Sequence, residues 1–94
     1  VSDDDHYHVA ITATAACDLK RLPEKAAAAC VEFIFGSLVE NPHRLGKPLR
    51  NDLAGLRSAR RGDYRVIYLI DDRNRRIAIL HIARRSDVYR LQTH

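Results

Sequence analysis

The stretch Ser58-Ala59-Arg60-Arg61-Gly62-Asp63-Tyr64-Arg65-Val66-Ile67-Tyr68 decides how this chain folds. It sets a tight Arg61-Gly62-Asp63 connection between two strand-like runs, residues 56–61 and 64–70, and short connections pair such runs antiparallel. It also puts Arg65 inside a strand, among β-branched and aromatic neighbours. Arginine is rarely buried unless it is paired. One held on a rigid strand beside further arginines is placed to meet something anionic.

Working outward, Asp71-Asp72-Arg73-Asn74 links the second run to a third strand candidate, residues 76–83. Upstream, residues 43–52 read as an irregular basic segment with Arg44, Gly46, Lys47, Pro48 and Arg50. Residues 6–12 alternate and end in Ile11-Thr12, the pattern of a first strand. Thr14 reads as the N-cap of a helix through Leu22, with Ala15, Leu19 and Leu22 at helical spacing. Pro23-Glu24 opens a longer helix whose Ala27, Cys30, Val31, Ile34, Phe35 and Leu38 follow the 3.6-residue period, and Asn41-Pro42 stops it. That apolar stripe is core. The expected fold is α+β: an N-terminal strand and a helical hairpin packed on an antiparallel sheet of about four strands, one domain over residues 1–94 with residues 1–6 disordered.

Charge divides the chain. Residues 1–43 hold three Lys/Arg against seven Asp/Glu, and residues 44–94 hold thirteen against five, within a net charge of +4. Twelve of those thirteen cations are Arg, the side chain whose planar fork matches phosphate oxygens and stacks on bases. A basic half on an acidic-to-neutral half is the electrostatic footprint of a nucleic-acid binder or of a binder of acidic proteins. No run approaches about 18 apolar residues, which argues against a transmembrane helix. The acidic start, Asp3-Asp4-Asp5, is unlike a secretory leader, so a cytoplasmic location is expected. Cys17 and Cys30 lack zinc-type spacing and read as small buried apolar residues with reduced thiols, although they fall at similar distances either side of Pro23. His6 and His8 share one side of a strand, but two ligands without a third do not make a metal site. No cofactor is expected.

Four segments, in this order and spacing, resemble the RelE/ParE superfamily of bacterial toxin–antitoxin toxins, on the RelE side. They are Pro42…Gly46-Lys47-Pro48-Leu49, Leu53…Gly55-Leu56, the stretch from Ser58 to Tyr68, and Arg84-Arg85-Ser86-Asp87-Val88-Tyr89-Arg90. The resemblance implies a RelE-like fold related to microbial ribonucleases. It also implies an endoribonuclease that enters the ribosomal A site and cuts mRNA there. In that reaction the 2′-hydroxyl attacks the adjacent phosphate and leaves a 2′,3′-cyclic phosphate without a metal. It further implies a cognate RelB-like antitoxin that neutralises the toxin, and a joint complex that reaches operator DNA through the antitoxin.

Position by position, Arg65 matches the family's strand arginine at the scissile phosphate. Arg85 matches the C-terminal arginine proposed as general acid, with Arg84 the neighbouring candidate, and Tyr89 matches the tyrosine that stacks on or orients the nucleotide. Ser58 and Leu56 stand where well-studied members carry lysines, one of them the proposed general base. Arg57 and Arg60 are the candidates to take over the electrostatic role, while Arg44, Lys47, Arg50, Arg61, Arg84 and Arg90 are candidates for RNA and ribosome contacts. The chemistry suits guanidinium, which stays charged and can stabilise a developing phosphorane, but which is a poor base for the same reason. His81, in the last strand, is a further candidate for proton transfer. Each position also has a plain reading: Arg65 pairing with Asp63 or Asp87, Tyr89 packing the C-terminal segment, His81 structural. Two other functions stay open: a ParE-like DNA gyrase inhibitor, or a weak toxin acting mainly as an antitoxin and operator-complex binder.

Overall fold

The Gly62-Asp63 turn closes the hairpin that the sequence predicts. Gly62 sits at φ 62°, a conformation that glycine adopts without the Cβ penalty, at the first central position of a two-residue hairpin turn. The computed structural model describes residues 7–49 and 55–84. Along them run β1 (His8–Ile11), α1 (Ala13–Arg21), α2 (Glu24–Phe33), a π-helical turn (Ile34–Leu38), α3 (Pro42–Leu45), β2 (Lys47–Pro48), β3 (Arg57–Arg61), β4 (Tyr64–Asp71) and β5 (Arg76–Arg84).

The strands form one sheet in the order β1-β5-β4-β3-β2. The α+β class is as expected, but the sheet has five strands and is mixed. β1 runs parallel to β5, His8 opposite Arg76 through Ile11 opposite Ile79. A parallel neighbour needs a long crossover, and here everything from α1 to β4 supplies it. The fifth strand, β2, lies with α3 in the segment that reads from sequence as irregular. Pro42 begins α3 at the first helical position, where its missing N–H costs nothing. Lys47 and Pro48 then pair with Ser58 and Arg57.

The helices cover one face. Ala15, Cys30, Ile34, Leu38 and Val39 meet Ala59, Val66, Tyr68, Ile77, Ile79 and Ile82 in a single buried cluster. The π-helical turn continues α2 and keeps both Ile34 and Leu38 fully buried. Cys30 is buried as expected, and burial pushes its thiol up. Cys17 is exposed, which corrects the expectation that both thiols are core; both are free.

Helix α1 begins two residues earlier than its sequence suggests. Thr12, not Thr14, is the N-cap: its Oγ1 accepts the Ala15 N–H at 3.2 Å and donates to the Ile79 carbonyl at 2.8 Å. The Thr12 N–H also reaches the Ile79 carbonyl, at 3.1 Å. One residue thus ends strand pairing and starts the helix. Beyond β1 the edge of β5 has no partner strand among the described residues, and Asp18 of α1 stands in for one by accepting the Ile82 N–H at 3.0 Å.

Candidate active site on the outer face of the sheet

Side chains alternate across a sheet, and residues directly opposite one another in an antiparallel pair share a face. The register therefore defines what the outer face, away from the helices, carries. One row across it reads Lys47, Ser58, Ile67, His81; the next reads Arg60, Arg65, Ala83. Ala59, Val66 and Ile82, between these rows, point inward to the core.

At the centre of this face Ser58 and Ile67 are buried, 7% and 2% exposed. Among the described residues the Ser58 hydroxyl has no hydrogen-bond partner. Around them stand the cations. Arg60 is exposed and donates its Nε to the Gly62 carbonyl at 3.2 Å. Arg65 is half-buried and, among the described residues, makes no ion pair, with Asp63 or any other carboxylate. Like charges directly opposite across two strands destabilise a sheet. An Arg60–Arg65 pair without a carboxylate between them is therefore an arrangement that a bound anion would relieve.

The other predicted residues divide. Arg61 and Arg84 lie opposite Tyr64 from either side, so they flank the Gly62 end of the helix-side face. Arg61 joins Glu32, Phe33 and Ser37 around an open hollow of about 420 Å³. Arg44 is exposed on α3. Lys47, expected in a loop, instead sits on β2 in the same row as Ser58. Arg50, Arg85, Tyr89 and Arg90 lie outside the described residues, as does Asp87. Among the described residues no three His, Cys, Asp or Glu side chains gather to hold a metal.

Arg57 is built differently from Arg65. It lies opposite Tyr68, and its Nη2 donates to the carbonyls of His43 at 2.5 Å and Gly46 at 2.6 Å, closing the end of α3. Tyr68, with no exposed surface, donates its hydroxyl to the Pro42 carbonyl at 2.5 Å. Burial raises its pKa, with Arg57 pulling part of the way back. A Cβ on Gly46 would collide with the Tyr68 ring and hydroxyl, so glycine is required there by close approach. Nearby, Asp72 accepts from Tyr7 Oη at 2.5 Å and holds His43 Nε2 at 2.7 and 3.0 Å. The Arg75 guanidinium lies 4.7 Å from the centre of the Tyr7 ring. The Tyr7 hydrogen bond, then that of His43, holds the Asp72 carboxyl below its ordinary value, and the same Asp72 bond raises Tyr7. This end of the sheet is a lock between β1, α3 and the β4–β5 turn.

Sequence reasoning missed that lock, the place of Lys47, and a partner for His81. His81 Nδ1 lies 3.5 Å from Asp18 Oδ2. The charge pattern of Arg57 did carry a signal: it alternates with Ala59, which places it on the core side.

A small α+β fold with an arginine-lined outer sheet face belongs to a defined class. The chain is a member of the RelE/ParE superfamily of toxins: residues 9–89 match the family model for the ParE toxin of type II toxin–antitoxin systems. It is 75% identical over 91 residues to Toxin RelE of Mycobacterium tuberculosis, covering 97% of this chain and 94% of that protein. Among solved structures it is similar to the M. tuberculosis toxin–antitoxin complex RelBE2, with TM-score 0.82 and 51% identity over 85% of this chain and 99% of that one. It is also similar to the archaeal RelE–RelB complex of Pyrococcus horikoshii, with TM-score 0.67 and 30% identity over 85% and 96%.

Proposed function

We propose that this toxin is a ribosome-dependent mRNA endoribonuclease that cuts in the A site by attack of the 2′-hydroxyl on the adjacent phosphate. The observation that carries the reading is the cross-strand Arg60–Arg65 pair on the outer face. Two guanidinium groups fixed on neighbouring strands suit a phosphate whose charge grows as the phosphorane forms, and preorganised donors aimed at developing charge are the largest single contribution in many enzymes. In this account Arg65 holds the scissile phosphate and Arg60 supports it. Lys47, Arg44, Arg61 and Arg84 contact flanking phosphates of mRNA or ribosomal RNA, as do Arg50 and Arg90. Arg85 and Tyr89 keep the roles that the resemblance gives them, general acid and nucleotide stacking. Arg57 acts by fixing α3 and β2, and so Lys47, against the sheet.

A RelB-like antitoxin is the proposed partner, supported by two relatives whose structures were solved as RelB complexes. Its neutralising segment is proposed to be acidic and to cover the Arg60–Arg65 face; operator DNA would be reached through it. The toxin would act in the cytoplasm, where ribosomes are.

Induction of the chain in cells, with mRNA 5′ ends mapped against ribosome position, tests this reading. New ends inside A-site codons, lost with Arg65→Ala, are expected. Growth arrest with intact mRNA and altered DNA supercoiling would replace it with the gyrase-inhibitor alternative. Growth without either would leave a binding module for antitoxin and operator.

A further inference from the structure

The reaction needs an acceptor for the 2′-hydroxyl proton, and the outer face offers few. Ser58 and Leu56 occupy the places where the resemblance puts lysines, and guanidinium groups do not accept protons at physiological pH. We propose that His81 is that acceptor and that Asp18 positions it, an assignment that rests on the endoribonuclease reading above.

Three features carry it. The first is a bulge in β5. Ile67 pairs with His81 and Tyr68 with Ile79, which leaves Leu80 as an extra residue. Without the bulge, strict alternation from the buried Ile79 would turn position 81 inward; with it, His81 joins the outer row. Bulges commonly re-aim a side chain beside an active site. The second is distance. Arg65 lies opposite Ala83, two residues from His81, and such diagonal neighbours are about 7–8 Å apart. That span accommodates one nucleotide linkage, with the phosphate on Arg65 and the ribose hydroxyl toward His81.

The third is orientation. Asp18 Oδ2 faces His81 Nδ1 at 3.5 Å and is itself held by the Ile82 N–H at 3.0 Å. The carboxylate is 19% exposed and the imidazole 42%, so the positioning group is sheltered and the ring reachable. A proton on Nδ1, beside the carboxylate, would leave the lone pair on Nε2 to accept a proton. Catalytic hydrogen bonds are often long in an unliganded protein and tighten with substrate.

In the step, Nε2 of His81 takes the 2′-hydroxyl proton as the O2′–P bond forms. The P–O5′ bond then breaks, the 5′ oxygen takes a proton from the general acid of the reading above, which regains one from water, and the imidazolium returns its proton to solvent. Nothing is oxidised or reduced. Among the described residues, the charged groups on elements packed against β5 near His81 are Asp18 of α1, with Lys20 and Arg21 in that helix's last turn, and Arg65 of β4. His8 of β1 lies opposite Arg76, at the far end of β5.

The test is single-turnover cleavage of mRNA on purified programmed ribosomes by the full chain, across the mildly acidic to neutral range. The wild-type rate should rise with pH across that range, as general-base catalysis by an imidazole requires. His81→Gln should lower the rate by about 10²–10⁴-fold and abolish that rise, with ribosome binding and melting temperature unchanged. Asp18→Asn keeps an oxygen for the Ile82 N–H; it should slow the cleavage step with ribosome binding unchanged. A His81→Gln rate within about threefold of wild type, or a wild-type rate flat with pH, overturns the role of His81. The wild-type profile decides the matter even if the variant fails to fold. A wild type that leaves mRNA intact overturns the endoribonuclease reading itself, a result separate from a cutting enzyme indifferent to His81.

Discussion

Arg57 and Arg65 sit on neighbouring strands of one sheet and have opposite fates. The Arg57 guanidinium is occupied by the protein's own carbonyls, at His43 and Gly46, and beside it Tyr68, His43, Asp72 and Tyr7 are all hydrogen-bonded. Arg65 faces Arg60 across the strands with no carboxylate among the described residues to balance either. The first end of the sheet is held by the protein's own hydrogen bonds, although the buried Arg57 Nε has no partner among the described residues; the second, on the reading proposed above, is completed by an anion. The difference shows why counting arginines does not locate a site. What matters is which guanidinium groups the fold leaves without a partner, since an unbalanced charge pair persists only where something offsets its cost.

Substitutions at the two ends should separate sharply. Arg65→Ala should reduce mRNA cleavage by about 10²–10³-fold, the loss typical of one preorganised donor to a developing anion, and leave thermal stability nearly unchanged. Thermal melting beside a cleavage assay checks both halves. Arg57→Ala should do the reverse, costing about 1–3 kcal/mol of stability because two carbonyls lose a charged donor. A denaturant titration measures this. Gly46→Ala should destabilise by a similar amount, about 1–3 kcal/mol, since its Cβ enters the space of the Tyr68 ring. The double variant Gly46→Ala/Tyr68→Phe relieves only the hydroxyl part of the collision, so partial recovery is expected.

The smallest effect concerns pH. The Asp72 carboxyl is held low in the folded chain, so its contribution is present above the ordinary carboxylate value near 4 and is lost as pH falls through the lower folded value. Tyr7 is raised, so its contribution is present below the ordinary phenol value near 10 and is lost as pH rises through the higher folded value. Asp72→Asn should therefore flatten both limbs of the stability–pH curve. A curve unchanged by that substitution would mean that the lock contributes nothing in solution.

Much of this arrangement was legible in the residues. The hairpin follows from Gly62-Asp63 between alternating runs, and the helical stripe of Cys30, Ile34 and Leu38 is buried as its period requires. What local pattern could not supply was pairing between distant segments. β1 and β5 lie parallel across a gap of 68 residues at His8 and Arg76, and nothing within either strand encodes its partner. Two-residue β2 is too short to show a period. Asp18 and His81 come together only because α1 runs along the edge of β5 beyond β1. Thr12 reads from sequence as a strand residue, which hides its role as a cap; it is both. Alternation did place Arg65 on the surface, but that Arg57 closes α3 required knowing where α3 lies.

The central claim is that the unbalanced outer face, not the end where Arg57 holds α3, does the chemistry. Product analysis on purified programmed ribosomes tests it most directly, comparing the wild type with Arg65→Ala and Arg57→Ala at a temperature where all three are folded. The account predicts A-site cuts with 5′-hydroxyl and 2′,3′-cyclic phosphate ends from the wild type, the same cuts from Arg57→Ala, and none above background from Arg65→Ala. Equal cutting by Arg65→Ala, or loss of cutting with Arg57→Ala while Arg65→Ala retains it, would contradict it.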